Sequence, residues 1–346
     1  MKAVLCGYYG FGNAGDEALL ATLLQMLPAD FEPIVLSGNP EATHRAYGVE
    51  AVDRWNFAAV LGAFRASQFF ILGGGSILQD VTSPRTMLYY GGLLWLAERM
   101  GLETVAWAQG LGPFRRNWSR ALVRHLLEPC RQVSVRDRNS AQLLSDWSIP
   151  YTQTVDPVWA LKAQSPNLPP NLPMPRAAVV LRPHPQLTKA RLAVLTAALI
   201  QFQKATEVCL VLVPFQLPGD VPIAEAIQKA LPGPSAVLHL EDPRALKGLF
   251  RTVEWTLAMR FHGVLMAAGE GCPVWGLSYD PKVSQLLQEL NAPGLELTAL
   301  PEEPSPLVRA WLEHYANGEG LTTAQTDRWL DRAQINQQVL KKLVRG

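Results

Sequence analysis

Short apolar runs alternate along the chain with longer segments whose apolar positions recur every three to four residues. In the first half the runs are Ala3–Cys6, Ile34–Ser37, Phe69–Leu72, Thr104–Trp107, Gln132–Val135 and Thr152–Val155. In the second they are Ala177–Leu181, Glu207–Val213, Ala236–Leu240, Trp255–Met259 and Val274–Leu277. Short β-branched runs of this kind read as strands covered on both faces. The intervening segments, such as Asp16–Leu27, Trp118–Leu127, Lys189–Lys204 and Pro281–Leu290, read as helices. Strands alternating with helices predict βαβ units and parallel sheets, an α/β fold. One stretch breaks the pattern. Ala163–Pro175 (AQSPNLPPNLPMP) holds Pro166, Pro169, Pro170, Pro173 and Pro175. Proline lacks a backbone donor and fixes φ, so this stretch continues neither a helix nor a central strand. It reads as a stiff linker. The expected organisation is an N-terminal Rossmann-like domain over 1–162, the linker over 163–175, a second Rossmann-like domain over 176–304 and a charged helical tail over 305–346. The two parallel sheets are expected to face a cleft. No short-period repeat marks a solenoid.

Composition narrows the function. The 346 residues suit two domains at roughly 100–200 residues each. With 31 Lys+Arg against 30 Asp+Glu the net charge is +1, which lacks the basic footprint of a nucleic-acid binder. Apolar residues at 48% and charged residues at 18% describe a folded chain, not a disordered one. The longest uncharged stretches, Ala3–Gly15 and Ala66–Gln79, are glycine-rich and shorter than the roughly 18 residues of a membrane span. The opening residues MKAVLCG carry no apolar signal region. Cys6, Cys130, Cys209 and Cys272 lie far apart with no CxxC, as buried thiols in a reducing compartment do. A cytoplasmic protein is expected.

In doubly wound sheets ligands bind beyond the carboxyl ends of the strands, so the residues after each run carry the chemistry. Gly10-Phe11-Gly12-Asn13-Ala14-Gly15 matches GxGxxG. The second run, however, ends in Ser37-Gly38, where a dinucleotide site places an acid for the ribose. Asp16 and Glu17 also put carboxylates where a pyrophosphate would sit. Asp16 reads equally as a helix cap or as a group facing sugar hydroxyls, and Glu17 as a first-turn partner of the helix dipole. Gly73-Gly74-Gly75-Ser76 reads either as backbone donors for an anion at a helix start or as a tight turn. Gln109 follows the Thr104 run. Arg136 follows the Gln132 run as a second anion contact or a salt-bridge partner. Arg182-Pro183-His184 and Lys282 carry cations at two further exits.

The sharpest feature is Arg260-Phe261-His262. A guanidinium fork pairs with phosphate or carboxylate, and imidazole moves protons near neutral pH. Side chains two residues apart in an extended turn point the same way, so both are expected to reach one ligand. Arg115, Arg116, Arg120, Arg124 and Arg131 form a basic run, either a solvated face or a patch for phosphates at a membrane surface.

Together GYYGFGNAGDE (Gly7–Glu17), GGGSILQD from Gly73, Gln109–Pro113, Ser134–Asp137, Met259–Gly263 and Gly276–Val283 resemble polysaccharide pyruvyl transferases. The likeness is greatest to the branch that pyruvylates cell-wall polysaccharide for S-layer anchoring. It runs in order from residue 1 to about residue 290. It implies a GT-B-like fold and transfer of pyruvate from phosphoenolpyruvate to a sugar as a ketal, with no metal and no cofactor beyond the donor. It implies acceptor binding by the N-terminal domain and donor binding by the C-terminal one. His262 then serves as general acid and Arg260 as anion clamp, with Arg136 a further cationic contact; Lys282, Arg182 and His184 join the donor set from their places at strand exits, not from the resemblance. Asp16, or another cleft carboxylate, is expected to take protons from the sugar hydroxyls, and Gly12, Asn13, Gly15, Glu17, Gly74, Gly75, Ser76 and Gln109 to line the acceptor or anion loops. The acceptor is a sugar or lipid-linked oligosaccharide, the latter at the inner face of the membrane. Three alternatives stay open. The first is a GT-B nucleotide-sugar glycosyltransferase, suggested by the Gly-Pro loop Ala268–Val274. The second is a non-catalytic sugar- or nucleotide-binding protein. The more distant third is an NAD dehydrogenase.

Overall fold

The computed structural model describes residues 1–81 and 84–344. The chain divides into two units: Met1–Phe11 with Asp16–Leu161 and Trp329–Gly346, and Gly12–Gly15 with Lys162–Arg328. The first holds β1 (Lys2–Cys6), β2 (Glu32–Ser37), β3 (Glu50–Asp53), β4 (Phe69–Leu72), β5 (Glu103–Gln109), β6 (Gln132–Val135) and β7 (Thr152–Gln153). They pair in the order β3-β2-β1-β4-β5-β6-β7, all parallel. The second holds β8 (Arg176–Val180), β9 (Cys209–Leu212), β10 (Ser235–Val237), β11 (Trp255–Ala258), β12 (Val274–Ser278) and β13 (Gly294–Glu296), in the order β10-β9-β8-β11-β12-β13. These pairs are also parallel. Each order reverses once, beside β1 and beside β8, which is the doubly wound, Rossmann-like topology.

The strand pattern has a simple physical origin. β4, β9, β11 and β12 are buried along their whole lengths, because helices cover both faces of a parallel sheet. β3 and β13 are edge strands with exposed or half-buried residues, so neither produces an apolar run, and the sequence pattern passes over both.

The tail is helical, and its two helices pack into the units themselves. Helix Ser305–Asn317 seats Trp311 in the second unit's core, 5.9 Å from both Trp255 and Trp275 by ring centroid. Helix Thr323–Lys341 belongs to the first unit from Trp329 onward. There Trp329 stacks on Trp159 at 4.9 Å, the Asn336 carbonyl accepts from Trp107 Nε1, and its amide donates to the Val155 carbonyl. The proline-rich segment lies with the second unit, where Gln164 N–H donates to the Arg244 carbonyl at 3.0 Å. All four cysteines are free. No helix among the described residues is long and apolar enough to cross a membrane.

Candidate active site

In the second unit, β11 leads through Met259 into helix Phe261–Gly269, with Arg260 extended at its N-cap position. The helix lies close on the sheet: a Cβ on Gly263 would stand 3.0 Å from the Val180 side chain. Arg260 is only 8% exposed. Its Nε and Nη2 donate to the two oxygens of Asp220 at 2.7 and 2.6 Å, a fork-on-fork pair. Asp220 also accepts from the backbone N–H groups of Phe215 and Gln216. The pair therefore ties the loop after β9 to the exit of β11. Asp220 takes one edge of the guanidinium, and only Nη1 lacks a partner among the described residues. Nothing around Arg260 in sequence signals this, because its carboxylate lies forty residues upstream.

The same loop holds the glycine-rich segment. Ala14 N–H donates to the Phe215 carbonyl at 2.7 Å, Leu217 N–H donates to the Gly12 carbonyl at 3.0 Å, and Asn13 bridges Gln216. Gly12 takes φ +66°, and a Cβ there would approach the Leu217 carbonyl to 3.1 Å. Gly15 has a different reason to be glycine: a Cβ there would stand 2.2 Å from His262 Nδ1. The GxGxxG run and the Arg-x-His run, far apart in sequence, thus meet at one imidazole. Asn13 Oδ1 accepts from Gly15 N–H and caps helix Ala14–Met26. Asp16 is accordingly a first-turn residue, not the cap, as is Glu17.

Two other exits of this sheet are joined. After β8, Arg182 Nη1 donates to the Tyr279 hydroxyl at 3.1 Å, and the His184 ring lies 4.7 Å from that of Tyr279, after β12. Burial, then the neighbouring Arg182 charge, lowers the His184 pKa from its ordinary value, against a weaker pull from Asp280. Asp280 accepts from Lys282 N–H and caps helix Pro281–Leu290, which places Lys282 in its first turn. The Gly-Pro loop Ala268–Val274 runs into the amino end of β12, the opposite edge from His262, so it does not serve this constellation.

In the first unit, Gly10 (φ +77°) packs where a Cβ would come within 2.1 Å of Ser37 Oγ. Glu17 Oε1 accepts from Gly10 N–H at 2.8 Å. Burial pushes the Glu17 carboxyl up to about 7, with the Gly10 N–H opposing and the Asp16 charge adding to the rise. Arg136 is part-buried and ion-paired with Asp156, and its Nη2 donates to Ser76 Oγ at 3.0 Å. It joins the loops after β4, β6 and β7, where the sequence left an anion contact and a salt bridge both open. Gln109 is fully buried, with Nε2 donating to the carbonyls of Leu72, Gly73 and Trp107. Gly75 (φ +129°) pairs with Gln109, while Gly74 packs on Leu19. Residues 77–81 are not helical, so Gly73–Ser76 does not open a helix, and the dipole argument for an anion there falls.

Sequence reasoning missed Asp220 and Arg54. Arg54 follows the edge strand β3, is 4% exposed and has no ion pair among the described residues. Its Nη1 donates to the Gly7 carbonyl at 2.8 Å, and Phe11, Trp55, Tyr89 and Tyr90 surround it with ring centroids 4.7–5.4 Å away. Among the described residues no group of three or more His, Cys, Asp or Glu is placed to hold a metal ion.

Two Rossmann-like units, each with polar side chains gathered at the carboxyl edge of a parallel sheet, define a GT-B-like α/β protein. Solved structures agree over whole chains. UDP-GlcNAc 2-epimerase from Neisseria meningitidis, bound to UDP-GlcNAc, superimposes with TM-score 0.67 at 10% identity, covering 100% of both chains. The epimerase from Methanocaldococcus jannaschii gives 0.64 at 11% identity, over 100% of this chain and 99% of that one. A glycosyltransferase from Rickettsia africae gives 0.55 at 10% identity, over 99% and 96%. At such identities the likeness is one of fold. No curated protein matches the sequence. Residues 13–281 match the model of the polysaccharide pyruvyl transferase family, and the chain belongs to that family of transferases.

Proposed function

We propose that the protein transfers pyruvate from phosphoenolpyruvate to two hydroxyls of one sugar in a polysaccharide or its lipid-linked precursor, forming a ketal and releasing phosphate. His262 protonates the vinyl carbon of the donor, which makes the neighbouring carbon oxocarbenium-like. One sugar hydroxyl adds there. Phosphate then leaves, and the second hydroxyl of the same sugar adds. The two hydroxyl protons balance the new methyl C–H bond and the proton carried off with phosphate. Asp16, next in the chain to the Gly15 that abuts His262, is assigned to accept a hydroxyl proton.

The observation that carries this reading is the grouping on one sheet edge of the second unit. His262 stands at the β11 exit beside Arg260, Arg182 and His184 stand at the β8 exit, and Lys282 at the β12 exit. A donor with a carboxylate and a phosphate calls for at least two cations. Arg182 and Lys282 are half-buried and take the two anionic groups, while Arg260, anchored by Asp220, offers Nη1. Phosphate release from phosphoenolpyruvate in the presence of hexose and acetamido-sugar acceptors tests the reaction. A pyruvylated sugar in step with phosphate supports it. Release of UDP from a UDP-sugar, with phosphoenolpyruvate inert, refutes it.

A further inference from the structure

Helix Pro84–Arg99 exposes a stripe of Arg85, Leu88, Gly92, Trp95 and Arg99, with Glu98 exposed beside it. The spacing of three and four residues keeps them on a single face. Leu88 is 50% and Trp95 45% exposed, large values for such side chains, with an arginine at each end of a run of roughly 20 Å. Helix Asn117–Leu127 packs alongside, because Gly91 leaves room for Leu126 where a Cβ would stand 2.7 Å away. It adds Trp118, 46% exposed, with Arg120, Ala121 and Arg124. The two helices share a groove of about 260 Å³ lined by Trp95, Glu98, Arg99, His125, Glu128 and Pro129, so their outer faces adjoin.

Charge along this stretch of the chain is lopsided. From Arg85 to Arg131 there are seven arginines against three glutamates, a surplus of four in a chain whose net charge is +1. Arg116, Arg120 and Arg131 meet Asp80, Asp146 and Glu103. Among the described residues Arg85, Arg99, Arg115 and Arg124 form no ion pair with a carboxylate. Arg99 instead lies over the Trp95 ring at 5.5 Å.

We propose that this two-helix face docks the protein on an anionic phospholipid surface. Indole rings settle at the boundary between headgroups and acyl chains, and arginine stems lie along apolar surface while their heads reach phosphate. Arginines at both ends of the stripe and on the neighbouring helix match a diffuse anionic plane better than one carboxylate cluster. A second copy of this chain is disfavoured as occupant, since the same stretch would bring its surplus of arginine over glutamate against an equal surplus. The inference is independent of the reaction proposed above.

The test is flotation of the full-length protein with phosphatidylcholine vesicles, with and without about 30% phosphatidylglycerol. The protein is expected to float with the anionic vesicles, to remain with the soluble fraction over phosphatidylcholine, and to be released by high salt. Each cation near such a surface is worth about fivefold in affinity, so R99E/R124E should bind at least about thirtyfold more weakly. W95A/W118A should also weaken binding. Both arginines are exposed, so the reversal variant should keep the wild-type melting temperature and decide the matter even where the tryptophan variant misfolds. Equal binding to both compositions, no binding to either, or undiminished binding by R99E/R124E overturns the proposal. A dimer in chromatography that R99E/R124E abolishes would assign the face to a second copy and overturn it as well.

Discussion

Gly15→Ala sets two physical effects against each other. Gly15 is the second residue of helix Ala14–Met26 and does not occupy the left-handed region. At an ordinary helical position alanine is better than glycine by about 1 kcal/mol. Here the new Cβ would lie 2.2 Å from His262 Nδ1, 2.9 Å from Cγ and 3.0 Å from Cε1. A comfortable contact is about 3.5 Å, so the ring must retreat by roughly 1 Å. Overpacking of this kind costs about 1–3 kcal/mol, which the helix gain partly offsets, so net stability should change by less than about 2 kcal/mol. Catalysis is far more sensitive, because a displacement of about 1 Å at a reacting group can cost about 100-fold. The expected outcome is a kcat for phosphate release lowered about 100-fold, with little change in the concentration of phosphoenolpyruvate needed, since Arg182 and Lys282 stand on other strand exits. The assay is steady-state phosphate release beside a thermal melt. A variant that melts higher and turns over at the wild-type rate would show that Gly15 does not set the position of His262.

Asp220→Ala leaves the buried Arg260 guanidinium without its carboxylate and should cost about 3–5 kcal/mol, read as a lower midpoint in urea; an unchanged midpoint would mean the pair holds nothing together. Arg182→Ala should raise the KM for phosphoenolpyruvate about 10- to 100-fold, the worth of one charge-assisted hydrogen bond, with kcat much less affected; an unchanged KM would remove Arg182 from the donor site. Glu17 carries a pKa raised from 4.5 to about 7, so its neutral form is the one the fold favours. That contribution is fully present below about pH 4.5 and lost as pH rises through 7, a swing of roughly 3 kcal/mol. Glu17→Gln should therefore gain stability over the wild type between pH 5 and pH 8 in urea titrations, and parallel pH profiles would contradict the burial argument.

Much of the fold was legible because parallel sheets announce themselves. Eleven of the thirteen strands among the described residues produce apolar runs, and these fall within two or three residues of the observed bounds. The two that escaped, β3 and β13, lie at sheet edges and bury too little to leave a pattern. Losing β3 also hid Arg54 at its carboxyl end. The candidate site was legible in outline, since strand exits rich in Gly, Arg and His are visible in a linear text. What stayed hidden was pairing. Asp220 looks like any other acid before a helix, and nothing local says that its carboxylate meets Arg260. Gly15 was read within GxGxxG, a pattern whose glycines serve a phosphate, whereas its missing Cβ makes room for His262. The charged tail showed helical character, but not that Trp311 and Trp329 belong to different units.

The central claim is proton delivery from His262 to the donor's vinyl carbon, and the most direct measurement follows that proton. Running the reaction in heavy water and weighing the pyruvylated sugar should give one deuterium in the ketal methyl group with the wild type. His262→Ala should still bind phosphoenolpyruvate yet form no labelled product. Labelled product from the variant at the wild-type rate, or an unlabelled methyl group from the wild type, would contradict the account.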